Sequence, residues 1–238
     1  MTRRHEAEIP AGSVTSKSLF VMPDADAPVP AVLILPQWSG RSPAEDSFAE
    51  KLAQLGYAGI ACDLYGDGRR GTSQAENQAL MQVLLDDRAE LRRRLLDLME
   101  AVGASPDIDS DRLGVAGFCF GGLCALDLAR AGADIRCAAS FHGLFSPPEG
   151  LDKPKIKATI AVYHGWDDPM VPPSDVTSLA KELSDRQADW YLMGFGHAVH
   201  AFTRPDAGDD TSAGIAYDAH ADRRSWRDFT DLLEDRLQ

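Results

Sequence analysis

The chain has 238 residues, of which 44% are hydrophobic and 26% charged, and its 37 acidic and 24 basic side chains give a net charge of −13. This is an ordinary globular composition with apolar mass for a full core, so neither a disordered tract nor a disulfide-stapled miniature fold is expected. The acidic balance repels phosphate backbones and anionic lipid, which argues against nucleic acid or a membrane surface as the main partner.

The chain order starts with Met1-Thr-Arg-Arg-His-Glu6, which turns acidic instead of entering an apolar run, so no secretory signal is expected. No apolar stretch approaches the roughly 20 residues that span a bilayer. The four cysteines, Cys62, Cys119, Cys124 and Cys137, sit in or beside apolar runs without disulfide or metal spacing, which points to a reduced, cytoplasmic setting. The segment before residue 30 reads as one or two extended antiparallel strands. Residues 31–35 form a short β-rich apolar run, the pattern of a buried parallel strand. Ser42-Pro43-Ala44-Glu45 offers a capping box for a helix that should stop at Gly56. A strand over 57–61 leads into the turn-rich 65–71. Ser73 and Glu76 form a second capping box, opening an interrupted helical stretch to about Val102.

Ser105-Pro106-Asp107 breaks that stretch. A strand over 113–116 then runs directly into Gly117-Phe-Cys119-Phe-Gly121, with a helix over 123–131 behind it. Three more strands are expected over 137–141, 159–163 and 190–193, with helices over 176–183 and 223–237. Repeated strand–helix units imply a mostly parallel central sheet with helices on both faces, within one domain over 1–238.

The Gly-x-Cys-x-Gly turn carries the strongest chemical signal. A nucleophile on a tight strand-to-helix turn needs small neighbours, because the flanking backbones pass close together. The turn also sets the sulfur at a helix N-terminus, where dipole and free N–H groups favour a thiolate and an oxyanion. An α/β-hydrolase fold orders its groups nucleophile, acid, histidine, and places one oxyanion donor on the residue after the nucleophile, here Phe120. Downstream, His164-Gly-Trp-Asp167-Asp168-Pro follows one strand and Gly194-Phe-Gly-His197-Ala-Val-His200 follows the next. Order and spacing leave both Asp167 and Asp168, and both His197 and His200, open.

The chain resembles the dienelactone hydrolase family over most of 30–205. The resemblance is carried by Leu33-Ile-Leu-Pro36, Asp63-Leu-Tyr-Gly-Asp-Gly68, Gly117-Phe-Cys-Phe-Gly-Gly122, Ser140-Phe-His-Gly143, Asp168-x-x-Val-Pro172 and His200-Ala-Phe-Thr-Arg204. It implies an α/β-hydrolase fold and a small ester or lactone as substrate, with Cys119, Asp168 and His200 as triad and no cofactor. It places the second oxyanion donor on the Trp38 amide and a substrate carboxylate near Arg204. Family members often carry glutamate where this chain has Gln37, a carboxylate that holds the resting thiol. Gln37 cannot take that proton, so either His200 deprotonates Cys119 directly or activation differs. The alternatives are a general carboxylesterase or thioesterase, and a relative that senses redox state or binds without turnover.

The remaining polar groups read as structural: Arg69, Arg70 and the 92–94 arginines as solvated charges, and His142 and His164 as satisfied strand-end residues. No zinc spacing, Rossmann fingerprint or P-loop is present, so neither metal nor nucleotide is expected.

Overall fold

A computed structural model describes residues 2–238 of the chain. The first two strands, β1 (Thr2–Ala11) and β2 (Val14–Pro23), pair antiparallel along their whole length, from Thr2↔Pro23 to Ala11↔Val14. The turn between them is held from outside, because the Ser13 amide and hydroxyl both donate to Glu90.

Then follow β3 (Val29–Leu35), α1 (Pro43–Gln54), β4 (Ala58–Ala61), α2 (Gln74–Asp86), α3 (Arg88–Gly103) and β5 (Ile108–Phe118). The second half runs α4 (Phe120–Arg130), β6 (Cys137–Phe141), β7 (Thr159–Gly165), α5 (Pro173–Asp185), β8 (Asp189–Phe195) and α6 (Ala219–Leu237). The eight strands form one sheet in the order β1-β2-β4-β3-β5-β6-β7-β8, parallel from β4 onward. The chain winds from β3 outward to β4, then crosses back to β5 on the other side of β3. Such a switch point opens a crevice beyond the carboxyl ends of the strands, where α/β folds bind ligands.

Local signals explain the helix boundaries. Ser42 and Glu45 make the full reciprocal box at the start of α1, and Gly56 follows its end with φ +93°. At α2 the box is only half made. Ser73 accepts from the Glu76 amide, but the Glu76 carboxylate reaches one residue further, to the amide and hydroxyl of Thr72. The interruption expected in the long helical stretch is Asp87, which ends α2 and whose carboxylate caps α3 through the Glu90 amide. Likewise Asp218 accepts from His220 and Ala221, so α6 begins four residues before the apolar periodicity declares it.

The sheet separates two apolar layers. One packs β-strand side chains such as Leu33, Ile60 and Val115 against Leu91, Leu95 and Leu98 of α3 and the inner face of α4. The other sets Val32, Ile34 and Phe141 against Leu52 of α1 and Phe229 and Leu233 of α6. One sequence expectation is corrected here. Arg94 is not solvated: it is buried, bonds Glu90 at 2.8 Å and the Leu64 carbonyl at 2.8 Å, and ties α3 to the β1–β2 turn. Burial opposes the charge on Glu90, yet the bonds from Ser13 and Arg94 outweigh it and lower its pKa to about 2.

Candidate active site

Gly117 to Gly121 close the turn between β5 and α4. A Cβ on Gly117 would lie 1.9 Å from the Gly121 carbonyl oxygen, and one on Gly121 would lie 2.1 Å from the Leu35 carbonyl oxygen. Only glycine fits either place. The second contact also brings the end of β3, and the loop that carries Trp38, directly against the start of α4. Cys119 sits at the apex with φ 54° and ψ −116°, a conformation that costs a non-glycine residue about 1–3 kcal/mol and survives because its surroundings fix it. Its amide bonds the Phe141 carbonyl at 3.0 Å, pinning the apex to β6. The thiol is half-buried, while Cys62, Cys124 and Cys137 are fully buried.

The loop after β3 is held from below. Asp63 is buried and accepts from the amides of Lys17, Tyr65, Gly66 and Gly68, which folds 63–68 into a compact turn. Tyr65 then donates its hydroxyl to the Trp38 carbonyl at 2.8 Å and stacks over Phe120 with ring centroids 6.4 Å apart. The amides of Trp38 and Phe120 meet no acceptor among the described residues. Trp38 lines the crevice onto which Cys119 opens, and Phe120 follows Cys119 directly in the chain.

After β7, the Asp168 amide bonds the Gly165 carbonyl at 3.1 Å and its carboxylate accepts from the Met170 amide at 2.8 Å. The other carboxylate oxygen lies 2.7 Å from Nδ1 of His200. Both side chains are closed to solvent, at 0% and 4% exposure. The loop beyond β8 holds His200 through its own backbone, since its amide bonds the Gly214 carbonyl at 3.1 Å and its carbonyl accepts from Ala216 at 3.1 Å. Burial by itself would lower the His200 pKa. Hydrogen bonding to Asp168 and the interaction with the Cys119 sulfur outweigh that and raise it to about 10. Nε2 is buried and meets no hydrogen-bond partner among the described residues, while the nearby Cys119 sulfur contributes to the raised pKa.

The alternatives that spacing left open separate cleanly in space. Asp167 and His197 face outward and pair with each other at 3.5 Å, with His197 99% exposed. His142 and His164 need correction as satisfied residues. His142 bonds Thr203 Oγ1 at 2.8 Å through Nε2 and packs edge-on against the His200 ring at 5.2 Å, but its Nδ1 has no partner. His164 is buried with both ring nitrogens unpartnered. Burial lowers the pKa of both, so both favour the neutral ring, opposite to the shift at His200.

Cys119 and His200 open into a cavity of about 590 Å³ that Gln37, Trp38 and Arg204 also line. Its apolar walls come from Met81, Leu144, Met170 and Ile215, on α2 and three loops. No motif marked these residues, because they meet only through tertiary packing; the one local trace is the bridge between His200 and Ile215. Arg204 is half-buried at the rim and already ion-paired with Asp206. Gln37 lies in the wall of this cavity, and its backbone amide donates to the buried Glu45 carboxylate at 3.4 Å. Together these groups bring a half-buried thiol and a buried imidazole hydrogen-bonded to a carboxylate to one cavity.

Known proteins resemble this chain over most of its length. The sequence profile of the Dienelactone hydrolase family matches residues 17–237. An uncharacterized protein of Caenorhabditis elegans is 36% identical over 152 residues, 63% of this chain and 96% of that one. A protein of Bradyrhizobium named "Probable 2-oxo-3-(5-oxofuran-2-ylidene)propanoate lactonase" is 30% identical over 74% of this chain and 75% of its own. Among solved structures, a dienelactone hydrolase-like promiscuous phosphotriesterase from metagenomic libraries superposes with a TM-score of 0.94. It is 32% identical and is covered over 100% of this chain and 99% of that one.

Proposed function

This chain belongs to the dienelactone hydrolase family, and from that premise we propose that it hydrolyses small esters or lactones through a covalent thioester on Cys119. The observation that carries the reading is the buried 2.7 Å pair of Asp168 and His200 beside Cys119, in a cavity large enough for a small acyl substrate.

His200 Nε2 takes the thiol proton, and the sulfur attacks the substrate carbonyl carbon. The oxyanion formed accepts from the Phe120 and Trp38 amides, which no other acceptor occupies. As the tetrahedral species collapses, the carbon–oxygen ester bond breaks and the imidazolium gives its proton to the leaving oxygen. In a lactone that oxygen stays tethered to the acyl group. A water then gives a proton to His200 and attacks the thioester, releasing the acid and returning the proton to sulfur. Asp168 holds Nδ1–H throughout and stabilises the imidazolium. With Gln37 in the wall, no carboxylate at that position competes for the thiol proton, so His200 is the base from the resting state on.

A second substrate class is favoured by the same neutral wall. An uncharged phosphotriester fits a 590 Å³ cavity without a carboxylate at position 37 to repel its polarised oxygens. Assay of the purified protein on lactones, enol esters, p-nitrophenyl esters and a p-nitrophenyl phosphotriester, with Cys119→Ala as control, tests both. Carboxylic ester or lactone turnover that vanishes in Cys119→Ala is expected. Turnover undiminished in Cys119→Ala excludes the reading.

A further inference from the structure

Behind the Cys119 cavity lies a second one, of about 330 Å³, between α1 and α6. Gln37 and Arg204 line both cavities and form the partition between them, whereas Cys119 and His200 line only the first. The volume falls in the range of small-molecule sites, about 300–1,000 Å³.

Its walls are aromatic. Phe48 meets Phe118 edge-to-face at 5.0 Å and Trp226 edge-to-face at 5.1 Å, so the three rings form a corner of flat apolar surfaces at different angles. Such a corner accepts a planar ring by stacking and edge contacts together. Its mouth is cationic. Lys51 and Arg223 are exposed there, and neither has a carboxylate within ion-pairing distance among the described residues. The Lys51 ammonium lies 5.7 Å over the Trp226 ring, so charge and aromatic surface face the same ligand volume. In a chain with net charge −13, this is a locally assembled anion-accepting patch.

The acids in the same wall limit what the ligand can be. Glu45 is engaged by the Ser42 amide and hydroxyl, and Asp222 by the Tyr217 hydroxyl. They would repel a dianion, and because Asp222 already lies within electrostatic reach of Lys51 and Arg223 sits 3.5 Å from the His220 ring, the two cations have capacity for a single negative charge. From these observations we infer that the cavity between α1 and α6 is a second binding site, distinct from the Cys119 cavity, for a planar aromatic monocarboxylate. The ring packs into the Phe48–Phe118–Trp226 corner and the carboxylate is held by Lys51 and Arg223. Thr203 also lines this cavity, and its hydroxyl bonds His142, the ring packed on His200.

The test uses the full chain with Cys119 capped by iodoacetamide, so that turnover is abolished, and the Lys51 and Arg223 substitutions, which lie outside the first cavity, assign the binding to the second. Benzoate is titrated into it by calorimetry, with neutral benzamide as control. Saturable benzoate binding is expected on the capped protein. It should weaken at least about tenfold in the Lys51→Ala, Arg223→Ala double variant, the loss expected from removing a charge-assisted contact. Benzamide should bind at least about tenfold more weakly than benzoate. Both substituted residues are exposed, and an unchanged melting curve verifies the fold. Absence of saturable binding to the capped protein, benzoate affinity unchanged in the double variant, or equal binding of benzamide would each overturn the inference.

Discussion

Asp168 Oδ2 lies 2.7 Å from His200 Nδ1 with both side chains closed to water, while Asp167 and His197 pair with each other at 3.5 Å on the surface. The two pairs use the same residue types on the same two loops. Burial separates them in energy, because an exposed ion pair is screened and contributes about 0–1 kcal/mol, whereas a buried hydrogen-bonded one fixes geometry and charge.

Substitution should therefore split by pair. His200→Ala is expected to lower kcat by roughly four orders of magnitude or more, and Asp168→Asn by about 10⁴-fold, as removal of a base or its orienting acid does. His197→Ala and Asp167→Asn should stay within about twofold of the parent. Steady-state kinetics on one ester reads all four, and a large loss in the surface pair would transfer the base to His197.

Alkylation should single out Cys119. Burial pushes the Cys62 and Cys137 thiols up to about 12 and the Cys124 thiol well above its ordinary value, so none of the three yields a thiolate near neutral pH. Peptide mapping after brief iodoacetamide treatment of folded protein is expected to find the label on the peptide of Cys119. Comparable labelling of a buried cysteine would remove the distinction.

The raised pKa of His200 makes a statement about stability. Its folded value of about 10 exceeds the ordinary 6.5, so the folded state binds this proton more tightly than the unfolded chain. The stabilisation is complete below about pH 6.5 and is lost as pH rises towards 10. Urea unfolding of the parent and of His200→Gln should show a stability gap that is widest at pH 6 and shrinks steadily to pH 10. A gap that is constant over this range would mean the imidazole gains no charge on folding.

At Gln37 the test is electrostatic. Gln37→Glu places a carboxylate in the wall beside the Cys119 sulfur, and a like charge disfavours the thiolate. Alkylation of Cys119 at neutral pH and its inactivation by peroxide should both slow several-fold. If neither rate moves, Gln37 is a wall residue with no bearing on the thiol.

Much of the fold could be read from the chain because its signals are local. The Ser42–Glu45 box, Gly56 at a helix end and the glycines around Cys119 each act within a few residues. The full extents of β5 and α6 were not, since β5 starts five residues before its apolar run, where only Ile108 pairs, with Val29, and α6 starts at the Asp218 cap. Resemblance singled out Asp168 and His200, and packing brings their loops together: a Cβ on Gly165 would lie 2.6 Å from the Val199 carbonyl oxygen, so the two loops touch backbone to backbone. Arg94 read as a surface charge because its partners, Ser13 and the Leu64 carbonyl, lie 81 and 30 residues away. The apolar walls of the Cys119 cavity were equally illegible, being gathered from segments with no shared pattern.

The central claim is that an acyl group passes through the Cys119 sulfur. Acid-quenched mass spectrometry during turnover of a p-nitrophenyl ester, followed by peptide mapping, measures it directly. The account predicts one acyl group per chain on the peptide carrying Cys119, and none in Cys119→Ala, which also loses turnover. An acyl group on another residue, or hydrolysis by Cys119→Ala at the parent rate, would contradict it.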